Sequence, residues 1–352
     1  MAYFFWKQDL MLSYRVTAVF MAIIFFFFLL HAKPNLSYIE KVIWFFCILY
    51  IALWLYGLLM APNQIFGIEN ENGIDDSRGI FRLSIQGRAF VVLSFFTAIS
   101  KYVETKKKKW IGIFIFLFII ICMQVIRQVI AFSLLTGLFY LLRKNKYIWL
   151  WLSLAVIGMI AFGSMKIDNK SIIGKMVVLS QDQVQEQQSG NENIRITEYR
   201  YFFTKYSKNI VTHIFGNGVA HSESEYGKIE NKLAQNKALY ASDVGYGEIF
   251  IRFGLLGLLF YGLIFYRVIK QKVQKKYMYA KLFILYLIFA NIAASWIFHD
   301  TIVICICLYI LETCHKKQLK DELKHKILNR NTRLQSEISE RMHCKYIKTD
   351  IY

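Results

Sequence analysis

The chain has 352 residues, is 56% hydrophobic and 17% aromatic, and combines a positive mean hydropathy of +0.36 with a formal net charge of +19. A soluble domain of this length averages about 45–50% apolar. Here the apolar residues fall in long, nearly charge-free blocks, which excludes an ordinary water-soluble globule and predicts transmembrane helices. The charge does not point to nucleic acid. Its lysines and arginines crowd into short connectors, KYVETKKKK (101–109), RKNK (143–146) and RVIKQKVQKK (267–276), and into the tail from His315. Basic short loops mark the cytoplasmic side of a membrane protein.

In chain order, the first apolar block covers 16–32. It is hydrophobic enough for a signal peptide, but it lacks a small-residue cleavage site and many spans follow, so it reads as a membrane anchor. Further spans are predicted over 42–61, 89–103, 110–126, 128–142 and 147–165. A polar segment runs to residue 246, and spans return over 247–266, 279–298 and 301–314 before a basic tail. Several are shorter than the roughly 20 residues a bilayer asks for, which calls for tilt or thinning. The expected fold is an all-α, polytopic transmembrane bundle of about 9–10 spans. Its parts are N-terminal transmembrane helices (1–165), one large extracytoplasmic loop with an amphipathic helix (166–246), C-terminal transmembrane helices (247–314) and a cytoplasmic tail (315–352).

The basic connectors orient this bundle. The KKKK and RKNK runs bracket a hairpin over 110–142, so its tip, Arg127, points to the outer face. The stretch 166–247 carries ten Lys and Arg against nine Asp and Glu, a near balance that belongs outside. The last two spans carry His299 and Asp300 at their outer tip. Nine spans with the carboxyl end inside put the amino end outside, unless the first run is re-entrant or a span is missing; the sequence leaves this open.

Cys47, Cys122, Cys305 and Cys307 sit in apolar runs, and Cys314 and Cys344 near or in the tail. The outer loop has none, so neither a disulfide framework nor a Cys-based metal site is indicated. Within that loop, SQDQVQEQQSGNENIR is polar and glutamine-rich, the composition of a mobile segment. In the following RITEYRYFFTKYSKNIV, residues Ile196, Tyr199, Phe202, Phe203, Tyr206 and Ile210 fall at helical spacing. They predict an amphipathic helix on the outer membrane surface, stopped by the glycine turn HIFGNG with Gly216 and Gly218.

No P-loop, G-x-S-x-G, H-E-x-x-H or paired C-x-x-C signature occurs. What remains is a set of polar residues at outer membrane edges. Arg127 lies between two apolar halves, where a cation is costly unless paired or wetted; a tip that merely meets the headgroups is the plainer reading. Arg195 and Arg200, five residues apart, are about 140° apart on a helix and cannot share a narrow stripe. His213 and His221 flank the glycine turn. Arg252 follows Glu248 at the i, i+4 spacing of a helix ion pair, and Asp243 either caps that helix or does chemistry. Arginines from distant stretches at one depth suit a lipid-linked diphosphate, which guanidinium groups bind bidentately without a metal.

The stretch from about 194 to 267 resembles the O-antigen polymerase and ligase family of polytopic glycosyltransferases. RITEYRYFF resembles the family's arginine before an aromatic-rich segment, HIFGNG its hydrophobic turn ending in G-x-G, and SDVGYGEIFIRFGLLGLL its D-x-G…GLLG start of a span. VIRQVIAFSLLTGLFYLL, with Arg127, resembles a further family stretch, and these pieces cover roughly a third of the chain. Ile214 stands where proline is often found. Ser242–Asp243 replaces a His-Asn pair common in ligases, which favours a polymerase.

The resemblance implies an enzyme of the bacterial plasma (inner) membrane that polymerises undecaprenyl-diphosphate-linked oligosaccharide units into a surface polysaccharide: O-antigen, capsule or exopolysaccharide. It implies no cofactor and no metal. In that setting Arg127 and Arg252 stabilise the diphosphate, Arg195 or Arg200 adds a third contact, and Gly216 and Gly218 belong to the glycan-binding turn. Asp243, His213 or His221 positions or deprotonates the acceptor hydroxyl. Expected partners are the lipid-linked oligosaccharide, membrane lipids, and a chain-length regulator and flippase of the same pathway. The alternatives are a flippase of the same lipid-linked sugars, an O-antigen ligase, or a membrane sensor or scaffold.

Overall fold

The computed structural model describes residues 1–60, 74–75, 80–81, 85–124, 126–144 and 194–349. The span expected over 147–165 and the glutamine-rich stretch before residue 194 lie outside the described residues.

The described chain is helical apart from one two-residue antiparallel pair, β1 (Ile74–Asp75) with β2 (Ile80–Phe81). Two short helices, α1 (Ala2–Trp6) and α2 (Leu10–Thr17), lead through a 3₁₀ stretch, Ala18–Ile23, into α3 (Ile24–Ala32) and α4 (Leu36–Leu59). Then come α5 (Arg88–Thr105), α6 (Lys109–Met123) and α7 (Arg127–Lys144). The loop region contributes α8 (Ile194–Thr204), α9 (Ile210–Phe215) and α10 (Glu225–Lys237). The chain ends with α11 (Gly245–Lys270), α12 (Met278–Ala290), α13 (Trp296–His299) and α14 (Thr301–Thr349).

Among the described residues α4 and α11, of 24 and 26 residues, are long and apolar enough to cross a membrane. The segments Leu10–Thr17 and Phe20–Ala32, bent by 43° to each other, meet the same test as a pair, and α6 is a shorter apolar helix. These features associate the chain with a membrane. Their boundaries follow local chemistry: the Asn35 side chain accepts from Ser37 N at 3.0 Å and caps α4, and Gly87, at φ 105°, turns the chain into α5.

Helix α5 is the hub. It packs against α4, α6, α7 and α12, with Val91, Leu93, Phe96, Ala98 and Ile99 almost fully buried. Ser94, Thr97 and Ser100 are buried among them; small residues let helix backbones approach where lipid offers no hydrophobic gain. Gly137 of α7 lies directly over Phe95 and Ile99 of α5.

The helices share two well-defined ends. At one, Lys101 pairs with Glu40 at 2.9 Å, Tyr279 approaches Glu40 at 3.4 Å, Arg267 pairs with Glu312 at 2.9 Å, and Tyr309 donates to Pro34 O at 2.8 Å. The basic runs 101–109 and 267–276 belong to this end. The starts of α5, α7 and α11 gather at the other, with the α12–α14 connection. The amino terminus is there too: Trp6 Nε1 donates to Asn217 Oδ1 at 3.0 Å, its ring stacks on Tyr226 at 4.3 Å, and Gln8 bonds Val219 O and Ser224 Oγ.

Three elements differ from their expected shape. The run 279–298 is not one helix: α12 stops at Ala290 because Asn291 turns inward, its Oδ1 accepting from Ile297 N at 3.3 Å. The amphipathic run after residue 194 is two helices, since Asn209 and Thr212 form a reciprocal capping box that starts α9 afresh. Phe202 and Tyr206 are buried as expected, but Ile196 and Ile210 are exposed. The helix that carries the last expected span does not stop at Cys314; α14 continues for 49 residues.

Candidate functional site

The break at 291–300 creates a polar recess. Its floor is set by helix length: thirteen residues of α12 rise about 20 Å, against about 36 Å for α4. The short helix therefore ends near the middle turns of the long one. Consistent with this, Gly87 abuts the ring of Tyr50, and Tyr50, Gly87, His299 and Asp300 line one hollow. Tyr50 is nine residues short of the end of α4, so the recess lies about 13 Å below that end.

The main cavity, of about 640 Å³, is lined by Arg88, Gln128, Asp243, Ser295, His299 and Asp300 together with apolar neighbours. Arg88 opens α5. Its guanidinium lies 5.0 Å from the ring centroid of Trp296, and its Nε and Nη1 are buried without a hydrogen-bond partner among the described residues. Asp300 is its charged neighbour. Gln128, with its amide oriented to suit its neighbours, donates to Ala293 O at 2.9 Å and accepts from Trp296 Nε1 at 3.3 Å. Ser295 N donates to Ser242 O at 2.9 Å, which ties the 242–243 segment to the break.

Arg252 reaches the same break from α11. It is ion-paired with Glu248 one turn earlier, and its guanidinium lies against the touching rings of Phe20 and Phe298, 5.5 and 5.7 Å from their centroids. His299 has Glu248, Arg88 and Arg252 as charged neighbours. Two arginines far apart in the chain, Arg88 and Arg252, thus act on this one histidine.

The glycine turn holds Arg252 where it is. Gly254, at φ 67° and ψ −163°, interrupts α11, and the interruption leaves the carbonyls of Ile251 and Arg252 without their ordinary helical donors. The turn supplies replacements: Asn217 N donates to Ile251 O at 2.6 Å, Asn217 Nδ2 to the same oxygen at 3.2 Å, and Gly218 N to Arg252 O at 3.2 Å. A β-carbon on Gly216 would strike the backbone of Arg252 and Phe253. Gly216 and Gly218 therefore serve the close crossing of α9 with α11.

The remaining candidates separate. Asp243 lines the cavity, and burial raises its pKa while Arg195 opposes the rise. Arg195 also acts on Glu198, one turn along α8. Arg200 is exposed on α8. Arg127 begins α7 between Ile126 and Gln128, which line the cavity; Arg127 itself is not among the lining residues. His213 lies against Phe250, its Nδ1 3.2 Å from Asn209 O. His221 holds a turn: its Nδ1 accepts from Glu223 N and its N–H donates to Gln8 Oε1. Neither histidine lines the cavity.

Two acids of the loop region were not singled out from sequence. Glu198 is 1% exposed; its Oε1 accepts from Tyr240 N at 2.9 Å, and its Oε2 is buried without a hydrogen-bond partner among the described residues. Burial, reinforced by nearby Asp243, lifts its pKa to about 7 against the pull of the Tyr240 hydrogen bond and Arg195. Glu230 accepts from Tyr206 Oη at 2.6 Å, and burial raises it too, opposed by that bond and by Arg252. Arg88 was also missed, although QGR before an apolar run is the same arginine-at-the-mouth pattern as Arg252. Among the described residues no group of three His, Cys, Asp or Glu is arranged to hold a metal. No family model, curated protein or solved structure matches the chain.

Proposed function

We propose that the protein is an integral-membrane glycosyltransferase that polymerises lipid-diphosphate-linked oligosaccharide units at the extracytoplasmic face of the bacterial plasma membrane. The observation that carries this reading is the recess itself, with Arg88, His299 and Asp243 in its wall and Arg252 acting electrostatically on the same His299. A lipid-linked diphosphate carries its charge near the membrane boundary, and the recess, which holds Arg88 beside the carboxylates of Asp243 and Asp300, opens below the end of a spanning helix. Preorganised guanidinium groups stabilise charge as it develops on a leaving group.

In the reaction the acceptor hydroxyl oxygen attacks the anomeric carbon of the donor. The bond from that carbon to the diphosphate oxygen breaks, and the diphosphate leaves with the electron pair. Arg252, Arg88 and Arg127 hold the diphosphate, and Arg195 faces Asp243. Asp243 takes the proton of the attacking hydroxyl, as a carboxylate with a raised pKa in the cavity wall is suited to do. In the matching topology the recess end faces outward and the basic end inward. The amino terminus is then outside, as the contacts of Trp6 and Gln8 with the 217–224 segment favour, and nine spans satisfy the parity.

Reconstitution with a defined lipid-linked repeat unit, without added metal, tests this. Oligomers should form with the wild-type protein and be absent with Arg127→Ala at equal protein level. Long chains from that variant remove Arg127 from the site.

One observation favours a second reading. A broken helix beside the ionisable residues Arg88 and Asp300, recessed within the bilayer, is also how transporters build substrate sites. A flippase of the same lipid-linked sugar fits that feature. Gel analysis of surface glycan from a deletion strain separates the two: single repeat units persist without a polymerase and vanish without a flippase.

A further inference from the structure

The opposite end of the bundle holds a second cavity, of about 860 Å³, where the α3–α4 turn, residues 274–277 and the exit of α14 meet. Its charged lining residues are Lys33, Lys316, Lys317 and Lys320, and no carboxylate lines it. Lys316 lies 3.5 Å from Glu312, which is also engaged by Arg267. Lys33, Lys317 and Lys320 have no ion pair among the described residues. Tyr277 and Tyr309 add aromatic walls, and Tyr309 fixes the turn through its bond to Pro34 O. The apolar side is Leu30, Leu36 and Leu319. Leu36 is the first residue of a membrane-crossing helix and Leu30 belongs to the bent pair, so the cavity straddles the membrane boundary.

Three lysines without an ion pair among the described residues, beside an apolar wall at that depth, match one ligand chemistry: a phosphate joined to hydrocarbon. Basic pockets between helices at the cytoplasmic boundary select anionic headgroups. We infer that this recess binds the headgroup of an anionic glycerophospholipid, with its acyl chains beside Leu30 and Leu36. The site is separate from the proposed transferase chemistry and stands whether or not that reading holds.

The test uses the full-length protein purified in detergent, titrated with short-chain phosphatidylglycerol, phosphatidylcholine, or inorganic phosphate, and followed by native mass spectrometry and thermal shift. Phosphatidylglycerol should bind and raise the melting temperature, while phosphatidylcholine should bind at least tenfold more weakly. The triple variant Lys33→Gln, Lys317→Gln, Lys320→Gln should weaken phosphatidylglycerol at least tenfold, since each lysine near an anionic surface contributes on the order of fivefold. The equal-charge control Lys106→Gln, Lys107→Gln, Lys108→Gln should bind as wild type. Equal affinity for phosphatidylcholine, or equal loss in the control, overturns the site. Saturation by inorganic phosphate at the same concentration overturns the lipid assignment. If the triple variant does not fold, Lys33→Gln alone decides, with unchanged affinity counting against the proposal.

Discussion

Gly216 and Gly254 face each other where α9 crosses α11: a β-carbon on Gly254 would overlap the backbone of Ile214 and Gly216, and one on Gly216 would overlap Arg252. The break at Gly254 and the turn at Gly216–Gly218 are two halves of one joint. Each supplies what the other lacks, free carbonyls on one side and free N–H groups on the other.

Gly254→Ala should therefore destabilise the protein by at least about 1–3 kcal/mol, the usual cost of a side chain in a glycine-only backbone region. Gly262, whose added β-carbon meets nothing within 4 Å, provides the control, and Gly262→Ala should leave the melting temperature unchanged. Thermal unfolding in detergent measures both.

Two nitrogens of Arg88, Nε and Nη1, are buried beside the cavity without a hydrogen-bond partner among the described residues. Arg88→Ala should reduce polymer formation by about a hundredfold or more, the scale of losing one preorganised charge-stabilising donor. Arg88→Lys should restore only part, because an ammonium cannot reproduce the guanidinium fork. Full activity in the lysine variant would show that charge alone suffices.

Glu198 gives a pH signature. Its pKa rises from an ordinary 4.5 to about 7 in the fold, so between these values the folded state binds more protons than the unfolded one. Stability then falls as pH climbs from about 4.5 to about 7 and levels off above. Glu198→Gln stays neutral and keeps the Tyr240 hydrogen bond. The variant should exceed wild type by about 1–3 kcal/mol at pH 8 and match it near pH 4.5. A constant difference across that range would count against a titrating Glu198.

The amino terminus supplies a topological test. Trp6 is buried, stacks on Tyr226 and bonds the fully buried Asn217. Trp6→Ala should cost about 3–5 kcal/mol and open the 206–226 region to limited proteolysis. A cysteine introduced at the exposed Tyr3 should react with a membrane-impermeant maleimide added to intact cells, and one at Lys324 should not. The reverse labelling would invert the bundle.

Much of the helical layout is legible from the apolar blocks, because α5, α6, α7 and α11 each begin within two residues of the expected positions, inside the usual uncertainty of such boundaries, while α4 begins six residues early, at Leu36. The Arg252–Glu248 pair follows from i, i+4 spacing, and the turn at Gly216–Gly218 from its glycines. The break at Asn291 was hidden because ANIAAS contains neither proline nor glycine, and what marks it is the bond of Asn291 Oδ1 to Ile297 N and the long-range bond of Ser295 N to Ser242 O. Glu198 looked like any charged helix residue; its burial comes from Tyr240 and the 241–243 segment, over forty positions away. The restart at Asn209 was readable in principle, since Asn209 with Thr212 is a capping pattern, but the run of aromatics before it dominated the periodicity.

Helix α14 starts one residue past Asp300 and continues without a joint for 49 residues, about 70 Å of stiff rod. A rod of that length is a lever: sideways movement of its far end must reappear as tilt or rotation along its shaft. Load applied to the distal helix, by whatever grips it, is thereby delivered to the residues that floor the recess at the opposite end of the bundle.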